Sequence, residues 1–188
     1  MTTVAEHMES TSISAQTPDG IAFATIRGDR DVTFSLVPGY YATADEARLA
    51  DKVAKVAKLL WVARVKEFFR MQSELVGREI RTEPAPRSDV QREREAARNQ
   101  IEATGRSSDG VINVASVGLL TWTVQITPGS LRGLSEQQFC ADVKQAAEML
   151  VSDHRQQLRT IWNTAGEWQG RPVAPARPGE LEPPRRVW

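Results

Sequence analysis

The feature that most constrains this chain is a duplication. Displaced by 90 positions without a gap, T-P-D-G-I-A-F-A-T-I-R-G-D-R-D-V-T-F-S-L-V-P-G from Thr17 lies on S-S-D-G-V-I-N-V-A-S-V-G-L-L-T-W-T-V-Q-I-T-P-G from Ser107. Asp19-Gly20, Gly28, Thr33 and Pro38-Gly39 fall on Asp109-Gly110, Gly118, Thr123 and Pro128-Gly129. Further on, Glu46, Val53, Ala57 and Leu60 fall on Glu136, Val143, Ala147 and Leu150, making ten identities in the 54 positions from 19 to 72. Average composition gives about three by chance. The 188 residues thus divide into two small related units with a linker and a tail, and every later inference has to respect that division.

The copies agree in physical pattern where their residues differ. Val32, Phe34 and Leu36 alternate with Thr33 and Ser35, and Trp122, Val124 and Ile126 alternate with Thr123 and Gln125 in the same parity. That period of two is a strand with one buried face. Ahead of each lies a second apolar segment, 21–26 and 111–117, opened by Asp-Gly and closed by Gly28 or Gly118, so each copy holds a hairpin. Pro38-Gly39 and Pro128-Gly129 stop the second strand, because proline cannot donate to the ladder. After that turn the period changes to 3.6. Phe139, Val143, Ala146, Ala147, Leu150, His154, Leu158 and Ile161 form one stripe behind a Ser135/Gln138 capping box, and Leu49, Val53, Val56, Ala57, Leu60 and Ala63 form the other behind Thr43 or Asp45. The run 59–69 is apolar over more than half of its circumference, which predicts a helix covered on two sides.

Residues 1–11 read as a flexible N-terminus that includes His7, 12–76 as a strand-strand-helix unit, and 77–87 as a linker broken by Pro84 and Pro86. Residues 88–168 read as helix-strands-helix. Their leading polar helix, 88–103, carries a thin apolar line of Val90, Ala97 and Ile101, and a short strand at 104–107 follows. The last twenty residues hold five of the ten prolines and four arginines, a composition that predicts a disordered, polyproline-prone tail over 169–188.

The second unit, with its central T-G-R-S-S-D-G-V-I-N-V-A-S-V-G-L-L-T-W-T-V-Q-I-T-P-G-S-L, resembles the YbaB/EbfC family over residues 88–165. Members carry a similar Asp-Gly opening, a glycine at the strand-to-strand turn, an alternating strand ending near Pro or Asp, and a long C-terminal helix. Residues 12–76 resemble the strand-strand-helix part of the same pattern, without a leading helix. The resemblance implies an α+β fold of two YbaB-like units, each an antiparallel hairpin or meander plus a long C-terminal helix. It also implies homodimers and a nucleoid-associated, DNA-binding function. Actinobacterial relatives of this fold include proteins associated with type VII (ESX) secretion, which raises an accessory or protein-interaction role as the alternative. Two units in one chain are expected to pack as an internal pseudo-dimer, as the family's two subunits do.

Chemical signals are sparse. His154 lies on the apolar stripe and reads as a packed side chain; Cys140 follows Phe139 near a helix start, without a histidine partner nearby in sequence, and reads as a small filler. The two Asp-Gly pairs read as turns. No phosphate-loop, dinucleotide, zinc-protease or nucleophile-elbow motif occurs, so the expectation is a non-enzyme without metal or cofactor. One cysteine favours a reducing compartment. No run approaches 18 apolar residues, and the N-terminus lacks the basic and apolar regions of a signal peptide. A cytoplasmic, nucleoid-associated protein without membrane contact is expected.

Charge divides the two functional readings. The 24 Lys+Arg balance 24 Asp+Glu, which excludes a histone-like cation and leaves any nucleic-acid surface to be local. Lys52, Lys55, Lys58 and Lys66 could form a phosphate-contacting strip on one helix, joined by Arg92, Arg94 and Arg98 on the next, where Glu93 and Glu95 alternate with them. An ordinary solvated face is the plainer reading. For interaction, Trp61, Phe68 and Phe69 add large apolar surface to a helix whose stripe is already supplied, so they would meet another helix, a second copy or a secretion-system partner; burial inside the pseudo-dimer is the competing reading. Tyr41 to Asp45 matches the Y-x-x-x-D form of type VII export signals, but Tyr41 precedes a helix instead of following a helical hairpin, so the match reads as chance.

Overall fold

Both Asp-Gly turns are tied by the same small knot. The buried Thr17 hydroxyl donates to Asp19 Oδ1 at 2.6 Å and accepts from the N–H groups of Ile21 and Ala22 at 3.2 and 3.0 Å. Ser107, equally buried, donates to Asp109 Oδ1 at 2.6 Å and accepts from Ile112 N–H at 3.0 Å. A hydroxyl that uses both its capacities this way is cheap to bury.

These turns join strands in a computed structural model that describes residues 4–28 and 31–167. The chain is a mixed α+β protein with two three-stranded antiparallel sheets and long helices. Strands β1 (Ser12–Gln16), β2 (Ala22–Arg27) and β3 (Asp31–Leu36) form the first sheet, and β4 (Glu102–Arg106), β5 (Ile112–Val117) and β6 (Thr121–Ile126) the second, each in sequence order. Every strand of the second sheet begins 90 positions after its counterpart. Register follows suit: Ala24 faces Phe34 as Val114 faces Val124, and Ala22 faces Leu36 as Ile112 faces Ile126.

Among the described residues the α-helices are α1 (Val4–Ser10), α2 (Glu46–Val76), α3 (Asp89–Asn99) and α4 (Glu136–Glu167). Asp45 caps α2 by accepting from Arg48 N–H at 2.8 Å, and Ser135 does so for Gln138 N–H at 3.1 Å. Gly77, at φ 68°, ends α2 in the left-handed conformation that glycine adopts without strain.

Three sequence expectations need correction. The first unit has three strands and a leading helix, not two strands alone. β1 escapes the alternation test because Ser12, Ser14 and Gln16 flank only Ile13 and Ala15. Helix α1 includes His7 and has Met8 buried, where the sequence suggests no leading helix. It is the shortened counterpart of α3. A Cβ on Gly28 would meet Glu9 O at 2.7 Å, and one on Gly118 would meet Asn99 O at 2.4 Å, Glu9 and Asn99 again being 90 apart. Finally, α3 ends at Asn99 and not near 103. β5 claims the next residues by pairing Glu102 with Val117 and Ala103 with Ser116, and Ile101 is drawn into the core while Val90 stays exposed. The proline-rich tail lies outside the described residues.

Each long helix is shared between sheets. Helix α2 lies against β1 and β2 of its own sheet and also against β6; α4 lies against β4, β5 and β3. One buried cluster therefore runs through both halves. Phe34 meets Phe139 edge-on with ring centres 6.2 Å apart, and Tyr41 lies 5.4 Å from the same ring. The Tyr41 hydroxyl donates to Leu134 O at 3.0 Å, and Glu46 Oε1 accepts from Gly129 N–H at 2.8 Å. Tyr41 thus works as a tie between halves.

Candidate interaction surface

The seven cations expected to meet phosphate are mostly satisfied within the chain. Lys52 bonds Asp19 and keeps little exposure; Lys55 pairs with Asp51 at 2.7 Å. On α3, Arg92 pairs with Asp89 and Arg98 with Glu83 at 2.7 Å. Arg94 sits over the Trp162 ring with its guanidinium carbon 5.2 Å from the centroid, a cation–π contact that fastens α3 to α4. Lys58 and Lys66 alone of the set are exposed and make no ion pair among the described residues. They are eight positions apart on α2, close to one face.

The aromatic set divides differently. Phe68 is buried in the core, with its ring 5.7 Å from Phe69, so it does not belong to a surface. Trp61 and Phe69 are half-buried, and they share a groove of about 610 Å3 with Val62, Val65, Ile80 and Leu120. Helix α2 forms one wall, the segment after Gly77 another, and the β5–β6 turn closes the end. Leu120, Val62 and the neighbouring Leu75 and Val76 are exposed large apolar side chains. Lys66, Arg70 and Arg81 stand at its rim; Arg70 is paired with Glu67 and Glu74, and Arg81 with Glu79.

This face exists in one half only. Positions 61, 62, 65 and 69 are Trp, Val, Val and Phe, whereas their counterparts in α4 are Val151, Ser152, Arg155 and Arg159. The apolar run 59–69 announced the floor of the groove. Ile80 and Leu120 were missed, although two adjacent leucines in a hairpin turn, Leu119 and Leu120, were the available signal.

Groups that could do covalent or acid–base chemistry are restrained by their surroundings. Burial, with Glu136 nearby, pushes the Cys140 thiol up to about 11 and keeps it protonated. His154 is buried, and that lowers its pKa and holds the ring neutral. Among the described residues no cluster of three or more His, Cys, Asp or Glu is placed to hold a metal, and no helix is long and apolar enough to cross a membrane.

The class these elements define is a mixed α+β protein with two repeated three-stranded sheets and shared long helices. No protein-family model, curated protein or solved structure matches the chain.

Proposed function

We propose that the chain is a non-enzymatic binding protein of YbaB/EbfC-like build, an internal pseudo-dimer whose working surface is the groove on the second half of α2. The pseudo-dimer reading is supported by the constant 90-residue offset and by the way each helix reaches the third strand of the opposite sheet. The groove carries the functional reading, because it joins six apolar side chains to one free rim cation, Lys66. Apolar patches of this kind mark docking sites. An amphipathic protein segment suits it, with apolar residues on Trp61, Val62 and Phe69 and acidic residues toward Lys66 and Lys58. Of the partners that the resemblance raises, a secretion-system protein fits this surface better than DNA does.

The test is selection from a random peptide library on the immobilised full chain. Enriched peptides should combine apolar and acidic residues and bind Val62→Asp at least tenfold more weakly. Peptides that bind wild type and Val62→Asp alike would overturn the assignment.

DNA association is the second reading, favoured by the free pair Lys58 and Lys66. Two phosphate contacts give a log–log salt slope of about −2, so a mobility shift should be weak and vanish at moderate salt. Lys58→Glu with Lys66→Glu should abolish it; binding that survives both changes would exclude this strip.

A further inference from the structure

A second space lies between the halves and is partly open to solvent at the half-buried Trp61, Trp122 and Arg155. It is a cavity of about 90 Å3 with an almost wholly apolar wall. The wall is built in equivalent pairs: Val53 with Val143, and Ala57 with Ala147, from α2 and α4. Alanine at both 57 and 147 leaves the middle of the stripe short of side chain in each half, so the space belongs to the repeated design and not to one odd residue. A further pair, Arg64 and His154, brings hydrogen-bonding groups to this wall, and both are buried. Arg64 Nη1 donates to Gly28 O at 2.6 Å. Leu119 closes part of the wall with its side chain 4% exposed while its backbone is held at φ 58°, a conformation that bulky residues rarely adopt. Leu119 follows Gly118, at φ 57°, in the β5–β6 hairpin, where a tight turn calls for two consecutive left-handed residues.

We propose that this cavity is a binding site for a small apolar ligand, a short branched or cyclic hydrocarbon group carrying one hydrogen-bonding end. Water is a poor occupant, since it needs two to four polar partners and the wall is nearly all hydrocarbon. An apolar cavity of about 150 Å3 takes benzene, so in proportion this one has room for about four carbon atoms. The neutral imidazole of His154 can donate to or accept from the polar end. Trp61 and Trp122, one from each half, also line the space and report on its contents.

Isobutanol titrated into the full chain tests the site, read by tryptophan emission and by the methyl resonances of Val53 and Val143. The expected result is a saturable shift with a Kd on the order of millimolar, which equal concentrations of glycerol do not produce. Ala147→Leu and the milder Ala57→Val fill the space from opposite helices, and either should weaken binding at least tenfold without lowering the thermal midpoint. A response in wild type that stays linear to the solubility limit would overturn the proposal. A saturable response unchanged in both folded variants would overturn it as well, because the ligand would then sit elsewhere.

Discussion

The sharpest difference between the halves is a single residue. Position 52 is a lysine whose ammonium holds Asp19, and its counterpart at position 142 is an aspartate. Asp142 is 2% exposed; Gln138 Nε2 donates to its Oδ1 at 3.0 Å, and its buried Oδ2 has no hydrogen-bond partner. Burial first, and the Asp109 charge as well, raise the Asp142 carboxyl above its ordinary 3.8, while Lys52 and then Thr17 hold Asp19 down at about 2. The two carboxyls therefore make opposite contributions. Asp19 stabilises fully above the ordinary carboxylate value, and that help is lost as pH falls toward 2. Asp142 binds its proton more tightly in the folded state, so its penalty is absent below 3.8 and grows as pH rises through its raised value. Asp142→Asn should stabilise the protein at neutral pH by about 1–3 kcal/mol and remove the second dependence only. Urea unfolding at pH 3.5, 5 and 7 would show it; an equal effect at all three values would refute the assignment.

At the scale of elements, the sequence was most legible where one face is buried and the other is wet. Val32, Phe34 and Leu36 are buried in strict alternation, and Asp45 and Ser135 do cap their helices. It was least legible where chemistry hides geometry. Arg64 is a cation within the apolar run 59–69, yet it lies one turn from both Leu60 and Phe68 and is buried with them, its Nη1 donating to Gly28 O. That placement also explains why Phe68 faces inward. β4 shows another limit, because Gly105 in mid-strand suggests weakness and in fact permits contact: a Cβ there would meet Ala146 O at 1.9 Å and Leu150 N at 2.6 Å. The counterpart of Gly105 is Ala15, so α4 approaches its sheet more closely than α2 does. Gly105→Ala is expected to cost about 1–3 kcal/mol through forced displacement of α4, measurable as a lower urea midpoint at unchanged m-value. Ala15→Gly should cost less than 1 kcal/mol. The groove was half legible for a similar reason. An apolar helix face can be read from spacing, but Ile80 and Leu120 join it only through the way the chain returns after Gly77 and Gly118.

For the whole molecule, the decisive fact is that α2 and α4 each complete the other half's sheet. Neither half has a finished core by itself, since Phe139 of one is covered by Phe34 and Tyr41 of the other. Residues 88–167 expressed alone should sediment as a dimer or fail to fold; a stable folded monomer would contradict the shared core. The segment after Gly77 that leads into α3 then acquires a thermodynamic role. It keeps each half in the presence of its counterpart at an effective concentration of about a millimolar, however dilute the protein. The thermal midpoint should accordingly be independent of protein concentration, and proteolytic nicking between 82 and 87 should make it fall on dilution. In the proposed pseudo-dimer, tethering also releases the pair from self-complementarity. An untethered twofold dimer shows the same face twice, whereas here one long helix carries Trp61 and Phe69 where the other carries Val151 and Arg159. Covalent joining lets one molecule have two unlike sides.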